Sequence, residues 1–275
     1  MPMSPALMSE LDAFLLELNR TAGEAILPLF RADHGLIDKG VAGASGYRGF
    51  DPVTEADRGA ERAIRTLIAQ RYPDHGVIGE EYGEDRPDAE FVWVLDPVDG
   101  TRAFIAGLPL WCVLIGLRHE GRPVLGSIGQ PYLDEVYLGS AAGSRLVARG
   151  AERPLRVRPC PKLTDAIIAT TDPEACFSGA ELGAWTQVRA AARLARLGCD
   201  AYAYAMVASG TVDMVIEAGL KAWDIDAAIP LIEGAGGLTT DWRGQPVGQN
   251  GGQVAIAGDH ACLEEALVAL RRSAV

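Results

Sequence analysis

The sequence contains none of the short signatures of the commoner catalytic machineries: no HExxH, GxSxG, Walker-type phosphate loop or GxGxxG. The sequence-level case for a zinc protease, a serine hydrolase, a P-loop enzyme or a dinucleotide-binding domain therefore lapses. Histidine is scarce. The four residues (His34, His75, His119, His260) sit in loop-like or turn-like stretches, and none has another within ligand spacing. The five cysteines (Cys112, Cys160, Cys176, Cys199, Cys262) are odd in number, scattered and without CxxC. They read as free thiols of a reducing compartment, with no histidine near any of them in sequence. No apolar run reaches the roughly 20 residues of a membrane span. The first twenty residues mix acids into an apolar pattern and lack a basic start, so they read as an amphipathic helix and not as a signal peptide. A cytoplasmic protein is the expectation. Positive charge is also short: 25 Lys and Arg against 37 Asp and Glu leave a net charge of −12. Nucleic acid and anionic membrane are thereby disfavoured as partners, whereas a small anion stays open because a bound cation inverts the local sign.

What is present is ordinary globular material, 48% hydrophobic and 23% charged over 275 residues, enough for one large domain or two lobes. Leu11, Phe14, Leu15, Leu18, Ala22, Ile26, Leu29 and Phe30 recur at helical spacing, with Ser9 a candidate N-cap. Residues 33–50 read as a loop. A second helix is expected from Thr54, where Thr54-Glu55-Ala56-Asp57 resembles a capping box, through Ala60, Ile64, Leu67 and Ile68. Short buried strands follow at 76–79 and 91–95. From Leu110 to about Val147, β-rich runs divided by Glu120-Gly121, Leu133-Asp134 and Ala142-Gly143 predict antiparallel hairpins. Beyond Pro161 strands and helices alternate: strands at 166–169, 212–217, 238–240 and 254–257, helices near 180–195, from 201, after Trp223 and over 260–272. The glycines of GAGG (234–237) read as a helix end turning into a strand. This predicts an α+β half, residues 1–158, followed by an α/β half, residues 159–275, layered around sheets.

The acids outside surface helix faces gather at element ends. In VWVLDPVDGTRAF (92–104) a greasy run stops at Asp96 and Asp99. Glu80 and Glu81 close the strand before it, Asp224 and Asp226 flank a helix start beside Trp223, and Asp51, Glu55 and Asp57 flank the second helix. Carboxylates brought together repel one another, and a hard divalent cation with oxygen ligands, Mg²⁺ or a close relative, resolves the conflict. Each group also has a plain structural reading: Asp-Pro-x-Asp-Gly as a turn, Glu80-Glu81 as a solvated strand end, Asp224 as a helix cap, Thr54–Asp57 as a capping box alone. The joint pattern favours the site.

Taken together, GEE with Glu80, the run from Trp93 through Asp96-Pro97-Val98-Asp99-Gly100-Thr101, Trp223-Asp224 before GAGG, and DPVTEAD (51–57) resemble the inositol monophosphatase family in order and distance, over about residues 10–270. The resemblance implies a layered αβαβα sandwich and a Mg²⁺-dependent phosphatase of small phosphate monoesters, with two or three ions and Mn²⁺ as a chemically adequate substitute. It implies that Glu80, Asp96 and the Val98 carbonyl hold one metal, and that Asp96, Asp99 and Asp224 hold a second. Asp57 and Thr101, with metal-bound Glu80, would orient and activate the attacking water, and the amides of Gly100 and Thr101 would receive the phosphate. A homodimer is the assembly the family commonly forms, although nothing in this sequence marks an interface.

Within that family the stretch 198–237, with Gly-x-Asp-x-Tyr-x-Tyr and Ile-Pro-x-Ile-Glu-Gly-Ala-Gly-Gly, is similar to the bacterial histidinol-phosphate phosphatases, as are YPDHGVIGEEYG (72–83) and the FIAGLP after the aspartates. Asp200 and Glu217 correspond to substrate-facing positions, and two acids suit the ammonium of histidinol phosphate better than a neutral polyol. The plain reading of Asp200 is a cap on the helix starting near Ala201. The expected activity is hydrolysis of L-histidinol phosphate in histidine biosynthesis. Inositol 1-phosphate and 3′-phosphonucleotides are alternative substrates, and a non-catalytic metal- or phosphate-binding protein is the reading from a different class. Lys39 matches a lysine that approaches the metals in relatives. The loop 40–50 is longer than the family's usual link, and Asp226 stands where a small residue is usual, either disturbing the site or facing solvent.

Overall fold

A computed structural model describes residues 4–33, 35–39 and 52–275. His34, the loop 40–50 and Asp51 lie outside the described residues. In chain order the elements are α1 (Pro5–Ile26), β1 (Ile37–Asp38), β2 (Pro52–Val53), α2 (Glu55–Arg71), β3 (Gly76–Gly79), β4 (Gly83–Asp85), β5 (Phe91–Asp99), α3 (Thr101–Ile105), β6 (Cys112–His119), β7 (Arg122–Gln130), β8 (Glu135–Ser140), β9 (Gly143–Ala148) and β10 (Ala151–Leu155). There follow β11 (Ile167–Thr170), α4 (Pro173–Cys176), α5 (Gly179–Ala191), β12 (Leu194–Leu197), α6 (Tyr202–Ala208), β13 (Met214–Leu220), α7 (Ala222–Ile225), α8 (Ala228–Gly234), β14 (Leu238–Thr240), β15 (Gly252–Ala257) and α9 (His260–Leu270).

Side-chain alternation explains the layers. Along β6, Val113, Ile115 and Leu117 join the apolar cluster under α1 and α2, while Cys112 and Leu114 join the cluster on the opposite face. Along β13, Val215 faces that second cluster, and Met214 and Ile216 face a third, shared with Trp185, Trp242, Leu263 and Leu267. Strands with both faces covered read as unbroken apolar runs, as these do. The result is α1 and α2, an eight-stranded sheet in the order β10-β9-β8-β7-β6-β5-β3-β4, then α6, α7 and α8, a five-stranded sheet in the order β12-β11-β13-β15-β14, and α5 with α9 outside: an αβαβα sandwich. No helix among the described residues is long and apolar enough to cross a membrane.

Several local expectations shift. The N-cap of α1 lies five residues before Ser9: it is Ser4, accepting from the Leu7 amide at 3.2 Å, and Pro5 takes the first turn, where its missing N–H costs nothing. The helix ends at Ile26, and a single 3-10 turn carries Leu29. The expected helix 180–195 stops at Ala191, and residues 194–197 form the edge strand β12. His119 lies at the end of β6, not in a turn, and interacts with Glu90.

One feature of the sheet positions the later helices. Gly116 on β6 pairs with Gly126 on β7, which pairs with Gly139 on β8. This row of glycines makes a trough in which the α7–α8 segment lies. A Cβ at Gly126 would stand 2.0 Å from the Ala227 carbonyl oxygen, and one at Gly139 would stand 2.1 Å from the Leu231 Cα. Only glycine permits backbone against backbone here, and that contact carries α7, with Asp224, over the end of β5.

Candidate metal and phosphate site

Strand β5 does not stop before its acids; it runs through Asp99. In a regular strand, Asp96 and Asp99 would point to opposite faces, because their separation is odd. The ladder to β6 breaks between them: Asp96 pairs with Leu114 and Asp99 with Cys112, so three steps on β5 match two on β6. That extra residue is a bulge, and Pro97, which has no N–H to give the ladder, sits in it. The bulge returns Asp99 to the face of Asp96. Carboxylate oxygens of Asp96, Asp99 and Asp224 consequently all lie within 4.8 Å of one another.

Each acid is fixed by main-chain donors. Asp96 Oδ1 accepts from the Val98 amide (3.1 Å), Asp99 Oδ2 from the Ala201 amide (2.7 Å), and Asp224 Oδ2 from the Lys221 amide (2.6 Å) at the start of α7. Gly100 adopts a left-handed conformation (φ 79°), which turns the chain from β5 into α3. The Thr101 hydroxyl lies 3.0 Å from the Val98 carbonyl and 3.2 Å from Asp57 Oδ1. Having one proton, it donates to one of them at a time. The other Asp57 oxygen accepts from the Thr54 amide (2.8 Å) and hydroxyl (2.6 Å), so the capping box exists and the same carboxylate also serves the site. Lys39 Nζ sits 3.3 Å from Glu80 and 2.7 Å from Glu81.

Asp96, Asp99, Thr101 and Asp224 line a cleft of about 230 Å³ with Glu80, Val98, Gly100, Arg102, Thr171, Cys176, Asp200, Tyr204 and Glu217. Burial, with the charges of Glu80, Asp99 and Asp224 added, holds the Asp96 carboxyl well above its usual value. Burial and then Asp200 and Asp224 do the same to Asp99. Glu80 is pushed up to about 7 by burial, against the pull of Lys39, and Asp224 to about 6 by burial. Burial also raises Asp57. A set of hard oxygen donors that resist ionisation in each other's company is what a divalent cation requires and relieves.

The expected substrate residues share this cleft. Asp200 does not cap α6: the Ala201 amide is taken by Asp99, and α6 begins without a side-chain cap. Asp200 lies against Gly100, where a Cβ would meet its Oδ2 at 3.0 Å, and burial raises its pKa to about 6. Glu217 is buried, accepts from the Thr171 amide (2.7 Å), the Thr171 hydroxyl (3.0 Å) and the Thr170 hydroxyl (3.2 Å), and is pushed up to about 8 by burial. Asp226 neither disturbs the site nor faces solvent. It is buried and ion-paired with Arg118 on β6, whose Nη2 also donates to the Gln249 carbonyl at 2.6 Å. Several contributors were not foreseen as site residues, Arg102, Thr171 and Cys176 among them. Tyr204, visible in Gly-x-Asp-x-Tyr-x-Tyr, reaches the cleft floor, and Glu61, an acid inside a helix, underlies Glu80.

A sequence model of the inositol monophosphatase family matches residues 7–275. The chain belongs to that family. As a member it is a phosphatase, a phosphoric monoester hydrolase. It is 43% identical over 249 residues to the chloroplastic bifunctional phosphatase IMPL2 of Arabidopsis thaliana, covering 88% of this chain and 68% of that one. It is 36% identical to a histidinol-phosphatase of Chlorobaculum parvum, with 84% and 85% covered, and 35% identical to an inositol-1-monophosphatase of Mesorhizobium japonicum, with 81% and 84% covered. Among solved structures, an inositol monophosphatase from Zymomonas mobilis superposes with a TM-score of 0.84 at 38% identity, covering 98% of this chain and all (100%) of that one.

Proposed function

We propose that this phosphatase hydrolyses L-histidinol phosphate, using Mg²⁺ held by Glu80, Asp96, the Val98 carbonyl, Asp99 and Asp224. The observation that carries the substrate choice is the pair of further acids, Asp200 and Glu217, lining the cleft beyond those a metal pair needs. A groove of about 470 Å³ opens off Asp200, lined by Arg102, Leu108, Asp172, Glu174, Arg189 and Leu197, and offers a leaving group room among charges of both signs. A histidinol-phosphatase among the relatives agrees with this reading.

When bound, the cations supply neutralisation of the phosphoryl oxygens and acidification of water. The chain's own residues do the rest. With its proton donated to Asp57, the Thr101 hydroxyl turns its lone pairs outward, where they accept from a water and aim that water's oxygen at phosphorus. The raised pKa of Asp57 suits it to share that proton. Amides at Gly100 and Thr101 receive phosphate oxygens. The new P–O bond forms as the ester P–O bond breaks, and the proton lost by water ends on the alcohol. Asp200 then pairs with the substrate ammonium.

One observation favours inositol 1-phosphate as a second substrate. A Glu217 carboxyl pushed up to about 8 is protonated at neutral pH and suits a hydroxyl better than a cation. The test is phosphate release with Mg²⁺ from histidinol phosphate and inositol 1-phosphate by the wild type and Asp200→Asn. Loss of a charged hydrogen bond worth about 1.5–3 kcal/mol raises KM for histidinol phosphate by roughly 10- to 100-fold while leaving inositol 1-phosphate little changed. Equal effects on both substrates reject the ammonium contact, and no wild-type turnover of histidinol phosphate rejects the activity.

A further inference from the structure

Below Glu80 lies an acid that no substrate or metal could touch. Glu61 on α2 is fully buried, at 0% exposure, four residues after Asp57. That spacing puts both carboxylates on one face of the helix. Asp57 points to Thr101, and Glu61 points to the turn between β3 and β4. Glu61 Oε2 accepts from the Glu81 amide at 2.9 Å; its Oε1 accepts from the Tyr82 amide at 3.2 Å and from Arg65 Nε at 2.7 Å. Arg65 extends the same clamp by donating through Nη2 to the Gly83 carbonyl. Both oxygens of a deeply buried anion are thus engaged by two consecutive amides of one turn and the arginine beside it, and that arginine holds the third residue of the turn. The turn has also been cleared for it: a Cβ on Gly79 would stand 2.1 Å from Glu61 Oε1 and 2.5 Å from its carboxyl carbon.

The neighbours explain what is being held. The Glu80 amide donates to the Leu95 carbonyl at 3.2 Å, immediately before Asp96. Glu80 therefore has its own amide tied to the strand of the metal aspartates and the next amide tied to α2. Burying a carboxylate costs several kcal/mol unless fully compensated, so a fold that needed only to close this turn could use a neutral group. An anion here anchors two amides at once and sets where the Glu80 side chain departs.

We infer that Glu61, backed by Arg65, is a positioning residue: it fixes the Glu80 carboxylate relative to Asp96 and Asp99, so that α2 sets both the water-orienting Asp57–Thr101 pair and one wall of the metal site. The inference rests on the reading of Glu80 as a metal ligand. Residues that orient metal ligands typically change affinity 10- to 100-fold when altered.

The experiment measures Mn²⁺ binding to the full chain without substrate, by electron paramagnetic resonance and titration calorimetry, alongside thermal unfolding in EDTA. Glu61→Gln loses the charge and presents an N–H₂ where an amide or Arg65 now donates. It raises the Mn²⁺ dissociation constant about 10- to 100-fold, and the rate lost at low metal returns substantially at high metal. Gly79→Ala drives the same carboxylate aside without altering it and produces the same weakening. Should Glu61→Gln fail to fold, Gly79→Ala and Arg65→Gln carry the test with Glu61 in place. A folded variant with a dissociation constant within twofold of wild type, at a lowered Tm, makes Glu61 a purely structural group and overturns the inference. Glu80→Gln separates the premise from the inference. If it leaves Mn²⁺ binding unchanged, the ligand reading itself is wrong. If it weakens binding and the Glu61 and Gly79 variants do not, the positioning role alone falls.

Discussion

Asp96 and Asp213 are equally hidden from water, at 3% and 2% exposure, yet their carboxyls move in opposite directions. Asp96 is driven up by burial and by the acids around it. At Asp213 burial pushes upward too. The Arg158 guanidinium at 2.7 and 2.6 Å and the Ile167 amide at 2.7 Å outweigh it, and the group settles below its ordinary value. Asp226 with Arg118 and Glu61 with Arg65 are likewise paired with a guanidinium, although at Asp226 burial outweighs the arginine and the carboxyl stays above its ordinary value. The lesson is that burial by itself does not mark a functional acid. Deep acids that hold the fold together come with an arginine, whereas the cleft gathers Asp96, Asp99 and Asp224 with main-chain amides as their hydrogen-bond donors, which leaves charge for a ligand to neutralise.

That contrast can be broken most forcefully at Asp96. Asp96→Asn lowers turnover by on the order of 10³-fold or more, as loss of a principal electrostatic stabiliser does. Because it also removes one of several repelling charges, its Tm in EDTA equals or exceeds that of wild type. A sharp fall in that Tm would assign Asp96 to the structural set. Next in size is the opposite case. Asp226→Ala strands Arg118, 9% exposed at its side chain, and costs about 3–5 kcal/mol in urea unfolding, whether or not metal is present. A loss below about 1 kcal/mol there would remove the distinction between the two sets.

The smallest effect is a pH slope. The native Glu217 carboxyl keeps its proton up to about 8, against an ordinary 4.5, so between those values the folded protein holds a proton that the unfolded chain has released. The Glu217 share of stability therefore declines as pH rises from about 5 to 8, by at most about 1.4 kcal/mol per unit, alongside the shares of Glu80, Asp200 and Asp224, which are raised too. Glu217→Gln makes the decline shallower by that share in metal-free protein. Asp213, shifted the other way, contributes stability above its unfolded value that is lost as acid protonates it. An unchanged slope in Glu217→Gln would show that Glu217 does not govern the decline.

Much of this was legible in the sequence for reasons that differ by element. The hairpins of β6 to β9 showed because turns such as Glu120-Gly121 punctuate doubly buried strands, and α2 showed because Thr54 and Asp57 form a real capping box. Edge strands hid: β10 is exposed along most of its length and contains Pro154, and Leu194 and Leu197 of β12 face solvent, so neither carries a burial pattern. Asp96 and Asp99 were conspicuous because charge at the end of a greasy strand has few explanations. The bulge that turns Asp99 to the side of Asp96 was implied only by Pro97. Glu61 looked like any helical acid, since its partners are amides twenty residues away. Asp226 was misjudged because Arg118, the residue that neutralises it, is 108 positions distant. The glycine trough escaped notice because Gly116, Gly126 and Gly139 become neighbours only after three strands are in register.

The hydrogen bond from the Ala201 amide to Asp99 sets a schedule for synthesis. As the chain leaves the ribosome, Glu80, Asp96 and Asp99 emerge together, but the amide that orients Asp99 follows 102 residues later and Asp224 later still. At the usual 5–20 residues per second, those acids wait on the order of ten seconds without their full set of neighbours. A nascent chain arrested before Asp224 can complete the eight-stranded sheet and still lack one of the three carboxylates that the finished cleft brings within 4.8 Å of one another. Under the metal role proposed for those acids, tight capture of a cation belongs to the finished polypeptide.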